Sequence, residues 1–187
     1  MAAVSVKLVG HALANGGFNN DLSIPNGLTS NLSTADGFAQ RNGVGTRSFD
    51  DAGNEYIFLP GVASLAQGDF VIFQLPATNA GTATVTRILN DANTGGAGQV
   101  AMALGAFAST SSWGWYQIYG LTPAIANIAT VAFTLPAALY RSATTARLST
   151  SANAKDAVFG AFLGAASVSN VGQALLNYPF VMDQSTL

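Results

Sequence analysis

Residues 54–76, NEYIFLPGVASLAQGDFVIFQLP, decide the fold class. Two runs, YIFL and FVIFQL, are rich in aromatic and β-branched side chains, and Gly or Pro bounds each of them. Those residue types suit a pleated, partly buried surface, while Gly and Pro punctuate the chain at turns. The stretch is expected to give two short strands, over 54–61 and 68–76. The same grammar repeats downstream. GTATVTRIL (81–89) alternates Thr with apolar residues, and NDANTGGAG (90–98) reads as a turn. QVAMALGAFA (99–108) fits a buried strand, although its alanines would also permit a helix. WGWYQIYGL (113–121), ANIATVAFTL (126–135), LYRSATTARLST (139–150), AVFGAFLGAAS (157–167) and GQALLNYPFVM (172–182) follow, each closed by turn residues. Some eight or nine strands spaced roughly ten residues apart predict an all-β domain, an antiparallel β-sandwich or a jelly-roll or barrel-like relative of it. Pro76, Pro123, Pro136 and Pro179 are expected at strand ends or edges, because proline offers no N–H to a ladder.

Upstream the chain changes character. Residues 10–50 are dominated by Gly, Asn, Ser and Thr, with isolated apolar residues such as Phe18 and Phe38 and no persistent period. Forty residues of this kind are unusual inside a compact domain. They are better explained as an extended N-terminal arm that orders against a partner, the alternative being a loop that lies on its own domain. The expected division is an arm over residues 1–50 and a β-domain over 51–187.

Composition limits what such a domain does. Of 187 residues, 49% are hydrophobic, so a full core is within reach, but only 9% are charged. A typical soluble domain has about 25%. The formal net charge is −2, which offers no basic field for nucleic acid and no polybasic patch for a lipid surface. From Ala92 to Tyr140 there is no charged residue and no histidine. That window is not read as a membrane span, because GGAG, STSS, YQ and LTP interrupt every apolar run and a helical span needs about 20 nearly continuous apolar residues. A neutral surface rich in hydroxyls and amides suits a protein packed against neighbours, since charge is depleted from interface cores.

Catalysis needs titratable groups held together, and few are offered. His11 is the lone histidine and lies in the expected arm, so a Ser–His pair in the domain would lack its base. The acidic run DDAGNE holds Asp50, Asp51 and Glu55; its spacing fits no calcium loop, and a solvated turn before a strand is expected there. No Gly-x-Ser-x-Gly elbow occurs, GGAGQV lacks the third glycine of a dinucleotide fingerprint, and GVGTRS lacks the lysine of a phosphate loop. With no cysteine, thiolate metal sites and disulfides are excluded. The residues point to a protein that is not an enzyme and carries no cofactor or metal. The N-terminal residues, one Lys and no continuous apolar run, do not read as a secretory signal.

The segment SSWGWYQIYGL (111–121) is the most aromatic one. Strict alternation would put Trp113, Trp115, Gln117, Tyr119 and Leu121 on one face of a strand. Three readings stay open for that face: core packing, a protein interface, or a platform that stacks sugars.

The order of these segments resembles that of tailed-bacteriophage head decoration, or cement, proteins. The resemblance rests on QGDFVIFQ, then GQVAMALGAFASTSSWGWYQIYGL, then ALYRSATTARLST, AVFGAFLGAA and ALLNYPFV, and covers about residues 53–182. One departure is Ala146, which stands where that family often has glycine before the arginine-like position. The resemblance implies a structural virion protein on the outer surface of an icosahedral capsid, a homotrimer, the major capsid protein as partner, and no catalysis. Candidate interface residues are Trp113, Trp115 and Tyr119 of the aromatic strand, and Arg41, Arg47, Phe18 and Phe38 of the arm. The alternative is a receptor-binding module of a tail spike or fibre, taking host-surface glycan on Trp113 and Trp115.

Overall fold

The computed structural model describes residues 8–9, 45–75, 84–87, 97–107, 113–129, 137–142, 146–151, 157–168 and 170–182. Among these residues the chain is all-β, without a helix. The strands are β1 (Leu8–Val9), β2 (Arg47–Asp50), β3 (Glu55–Pro60), β4 (Phe70–Gln74), β5 (Thr84–Arg87) and β6 (Gly98–Ala103). β7 (Trp113–Leu121), β8 (Ala126–Ala129), β9 (Ala137–Arg141), β10 (Leu148–Ser149), β11 (Ala157–Val168) and β12 (Val171–Val181) complete the set.

Five strands close a barrel. β12 pairs with β11, β11 with β9, β9 with β10, β10 with β8, and β8 returns to β12. All these pairs are antiparallel except β8–β10, which is parallel; a purely antiparallel sheet was expected. The remaining strands form a sheet in the order β1-β2-β3-β7-β6-β4-β5. β12 joins the two parts. One of its edges runs along β11. The other edge meets β8 at Val171 and Gly172, β7 at Leu175–Asn177, and β6 at Phe180 and Val181.

One core fills the barrel and continues under the sheet. Ile128, Leu139, Leu148, Val158, Leu163 and Leu176 line the barrel, and Tyr56, Phe70, Met102 and Trp115 carry the same cluster onto the sheet. The opposite face of β3, β4, β6 and β7 is buried too, under a second cluster that includes Ile57, Leu59, Val71, Phe73, Tyr116 and Ile118. Burial on both faces is why YIFL, FVIF and VAMA read as unbroken apolar runs and do not alternate. Tyr116 stacks on Phe107 at 5.3 Å and its hydroxyl donates to the Pro60 carbonyl at 3.1 Å, so its polar end is satisfied inside the cluster.

Gly68-Asp69 fixes the entry to β4. Gly68 has φ +87°, and a Cβ there would lie 1.9 Å from the Ile125 carbonyl oxygen, so only glycine fits. Asp69 accepts from the Ala66 N–H at 2.9 Å and from Asn127 Nδ2 at 2.6 Å, tying that turn to β8. In the β9–β10 connection Ala146 takes φ +67°, a region that glycine enters without steric cost.

Two expectations need correcting. The boundary at Asp50 cuts through a hairpin: β2 pairs with β3 from Arg47 to Phe49, and β1 pairs with β2, so residues 47–50 belong to the sheet and do not form an arm. Residues 10–44 lie outside the described residues. Pro179 lies inside β12 and not at its end. It is accommodated because the β11–β12 register breaks between Phe159 and Ala161, and a bulge needs no N–H from it.

Candidate contact surface

The outward face of β7, β12 and β11 is apolar. Leu121 of β7, Leu175 of β12 and Phe162 of β11 lie directly opposite one another in a row across three strands. Beside that row Tyr119 stacks on Tyr178 at 5.2 Å, and towards the end of β12 Phe159 stacks on Phe180, also at 5.2 Å. All seven side chains are between 39% and 47% exposed. The three strand sequences contain no charged residue. Large exposed apolar patches are a common mark of contact sites.

Two bulges build this face. In β7 the register against β3 slips by one residue, with Glu55 opposite Tyr119 but Tyr56 opposite Gln117. Ile118 and Tyr119 therefore end up on the same side. Strict alternation would have aligned Tyr119 with Trp115. Instead Trp115 is 8% exposed, packed edge-on against Phe58 at 5.3 Å, while Tyr119 faces out. The expected row of three aromatics is not formed, because the slip turns the end of the strand over. In β11, Gly160 at φ +77° does the same for Phe159 and Phe162. A Cβ at Gly160 would lie 2.5 Å from the Asn177 carbonyl oxygen. Opposite it, Tyr178 holds a left-handed φ of 46°, a strained conformation for a non-glycine residue.

Polar groups brace one margin of the face. Glu55 is almost fully buried. Its Oε1 accepts from Arg47 Nη1 at 2.9 Å, and its Oε2 accepts from the Tyr178 hydroxyl at 2.5 Å. The Arg47 guanidinium also lies over the Tyr178 ring, 5.9 Å from its centroid. The hydrogen bond to the Glu55 carboxylate, with lesser help from burial and the carboxylate's charge, pushes the Tyr178 phenol above its usual value; Arg47 opposes this. A cleft among Arg47, Gln99, Ile118, Tyr178 and Pro179 has room for a single water, about 10 Å³. Ligand pockets run from roughly 300 to 1,000 Å³.

Next to this cluster the acidic run is not the solvated turn expected of it. Asp50 is 8% and Glu55 2% exposed, and each is held by named partners; only Asp51 of the three is exposed. Asp50 Oδ2 accepts from the Tyr56 hydroxyl and from Asn54 Nδ2, both at 2.7 Å, and its Oδ1 accepts from the N–H groups of Ala52 and Asn54. Among the described residues no three His, Cys, Asp or Glu come together to hold a metal ion.

Of the residues singled out from sequence, Tyr119 lies on the apolar face and Arg47 at its margin, engaged with Glu55 and Tyr178. Trp115 belongs to the core. Trp113 opens β7 opposite Pro60, and its side chain lies outside the described residues, as do Arg41, Phe18 and Phe38. The sequence reading missed Phe159, Phe162, Leu175, Tyr178 and Phe180. The available signal was Gly160 inside a strand pattern, which marks a bulge. No protein family, curated protein or solved structure matches this chain.

Proposed function

We propose that this chain is a structural virion protein that binds the outer surface of an icosahedral phage capsid as a homo-oligomer and stabilises it. The observation that carries the reading is the exposed, charge-free face of β7, β12 and β11, built on strands that leave it nothing of their own to pack against. A face of this kind works by contact with another protein. The low charge of the whole chain supports the same reading, as does the resemblance of its segment order to that of decoration proteins, a resemblance that implies a trimer and the major capsid protein as partner. The alternative, a glycan-binding module, loses one of its two indoles, because Trp115 is in the core.

Co-sedimentation with heads that lack this chain tests the proposal. The purified protein is expected to pellet with them and to raise their resistance to heat. Because only 9% of the chain's residues are charged, occupancy should hold from about 0.1 to about 1 M salt, where the Debye length falls to roughly 3 Å. Protein that stays in the supernatant at every salt concentration would refute the reading.

A further inference from the structure

We infer that the face of β7, β12 and β11 seats a second copy of this chain. The inference rests on the contact role proposed above and names the occupant of that face.

Three observations favour a second copy. The first is area. Seven large side chains are each exposed by 39% to 47%. Side chains of this size expose roughly 150–250 Å² in full, so together the seven present roughly 600 Å². A standard interface takes about 800 Å² from each partner, so these seven residues alone supply most of one side of such a contact. The second is charge. A two-fold self-contact sets a charge lying at its axis against a like one, which disfavours charge there. β7, β11 and β12 carry none. The third is the polar group left on the face. Asn177, exposed on β12 and opposite Tyr119, carries an amide that both donates and accepts, so two copies can satisfy each other there.

The face is also rigid enough to be a preformed site. Thr122, just past β7, accepts the Ala174 N–H at its hydroxyl at 2.8 Å, and its carbonyl accepts from Gln173 Nε2 at 3.2 Å, which stitches β7 to β12 beside the central row.

Light scattering of the full chain from about 1 to about 100 µM is the test, a range that brackets micromolar association. Wild type is expected to associate in a concentration-dependent manner that survives about 1 M salt. Leu175→Asp and, separately, Phe162→Asp should weaken association at least ~10-fold, a loss equivalent to one large anchor, with the far-ultraviolet spectrum unchanged. Asp51→Lys, on an exposed turn, should not weaken it. The chain has no cysteine, so Leu175→Cys adds a single thiol whose maleimide labelling should slow as concentration rises. A wild type that stays monomeric at about 100 µM overturns the inference. So does association that both aspartate variants retain. So does a Leu175→Cys variant whose thiol is protected at all concentrations in a monomer, which would show that another part of the same chain covers the face. Loss of head binding with association intact would instead count against the capsid reading and leave this inference standing.

Discussion

Asp50 and Tyr56 show how much one buried pair contributes at the edge of a sheet. Burial alone would push the Asp50 carboxyl up; hydrogen bonds from the Asn54 side chain, the Tyr56 hydroxyl and two backbone N–H groups outweigh it and hold the group below 3.8. A carboxylate with a depressed value stabilises the fold fully above its unfolded value, about 3.9, and loses that contribution as pH falls through the lower folded value. Urea midpoints should therefore drop below about pH 4, and Asp50→Asn should flatten part of that drop. An equally steep acid limb in the variant would assign it to other carboxylates. Tyr56→Phe leaves the buried carboxylate one donor short and should cost about 1.5–3 kcal/mol by urea titration at neutral pH. The sequence showed the acids of DDAGNE but not their burial, because a local window does not reveal that Tyr56 turns inward towards Asp50. Ala146 takes a positive φ, which the local sequence SATTARLS does not announce.

Most strands were legible and most of their irregularities were not. The runs around 54–61, 68–76 and 99–108 each become a strand, because two-sided burial concentrates apolar residues into short blocks between turn residues, and the run 172–182 becomes a strand buried on one face. The bulges at Ile118 and Gly160 escape a reading based on period two, and each reverses which side chains face out. That is why the aromatic strand pointed to Trp115 beside Tyr119, when Trp115 is buried and Phe159 and Phe162 are exposed with Tyr119. Gly160→Ala places a methyl against the Asn177 carbonyl at a positive φ and should cost more than about 2 kcal/mol, read as a fall in Tm. If its Tm falls by no more than a substitution at an ordinary exposed strand position would cause, the close approach is not rigid.

The barrel, the sheet and their shared core make one cooperative body, and β12 is the strand that belongs to all of it. What the sequence conveyed at this scale was the class, all-β with a neutral surface. It could not convey that the last long strand closes the ring, because closure depends on pairings between residues far apart in sequence, such as Val171 with Asn127 and Leu176 with Gly120. Because that edge of β12 meets β8, β7 and β6 in turn, the order of synthesis matters. A ribosome that has released everything up to Asn170 has delivered eleven of the twelve strands, yet neither the ring nor the junction has its common wall. Folding of this chain is then an event that waits for β12 to leave the exit tunnel, although domains are made N-terminus first. Arrested nascent chains ending before Val171 should be cut rapidly by protease, and chains extended past Val181 by a linker long enough to clear the tunnel should abruptly resist it. Until that moment the future contact face is itself unfinished, so copies growing side by side on one messenger cannot pair through it too early.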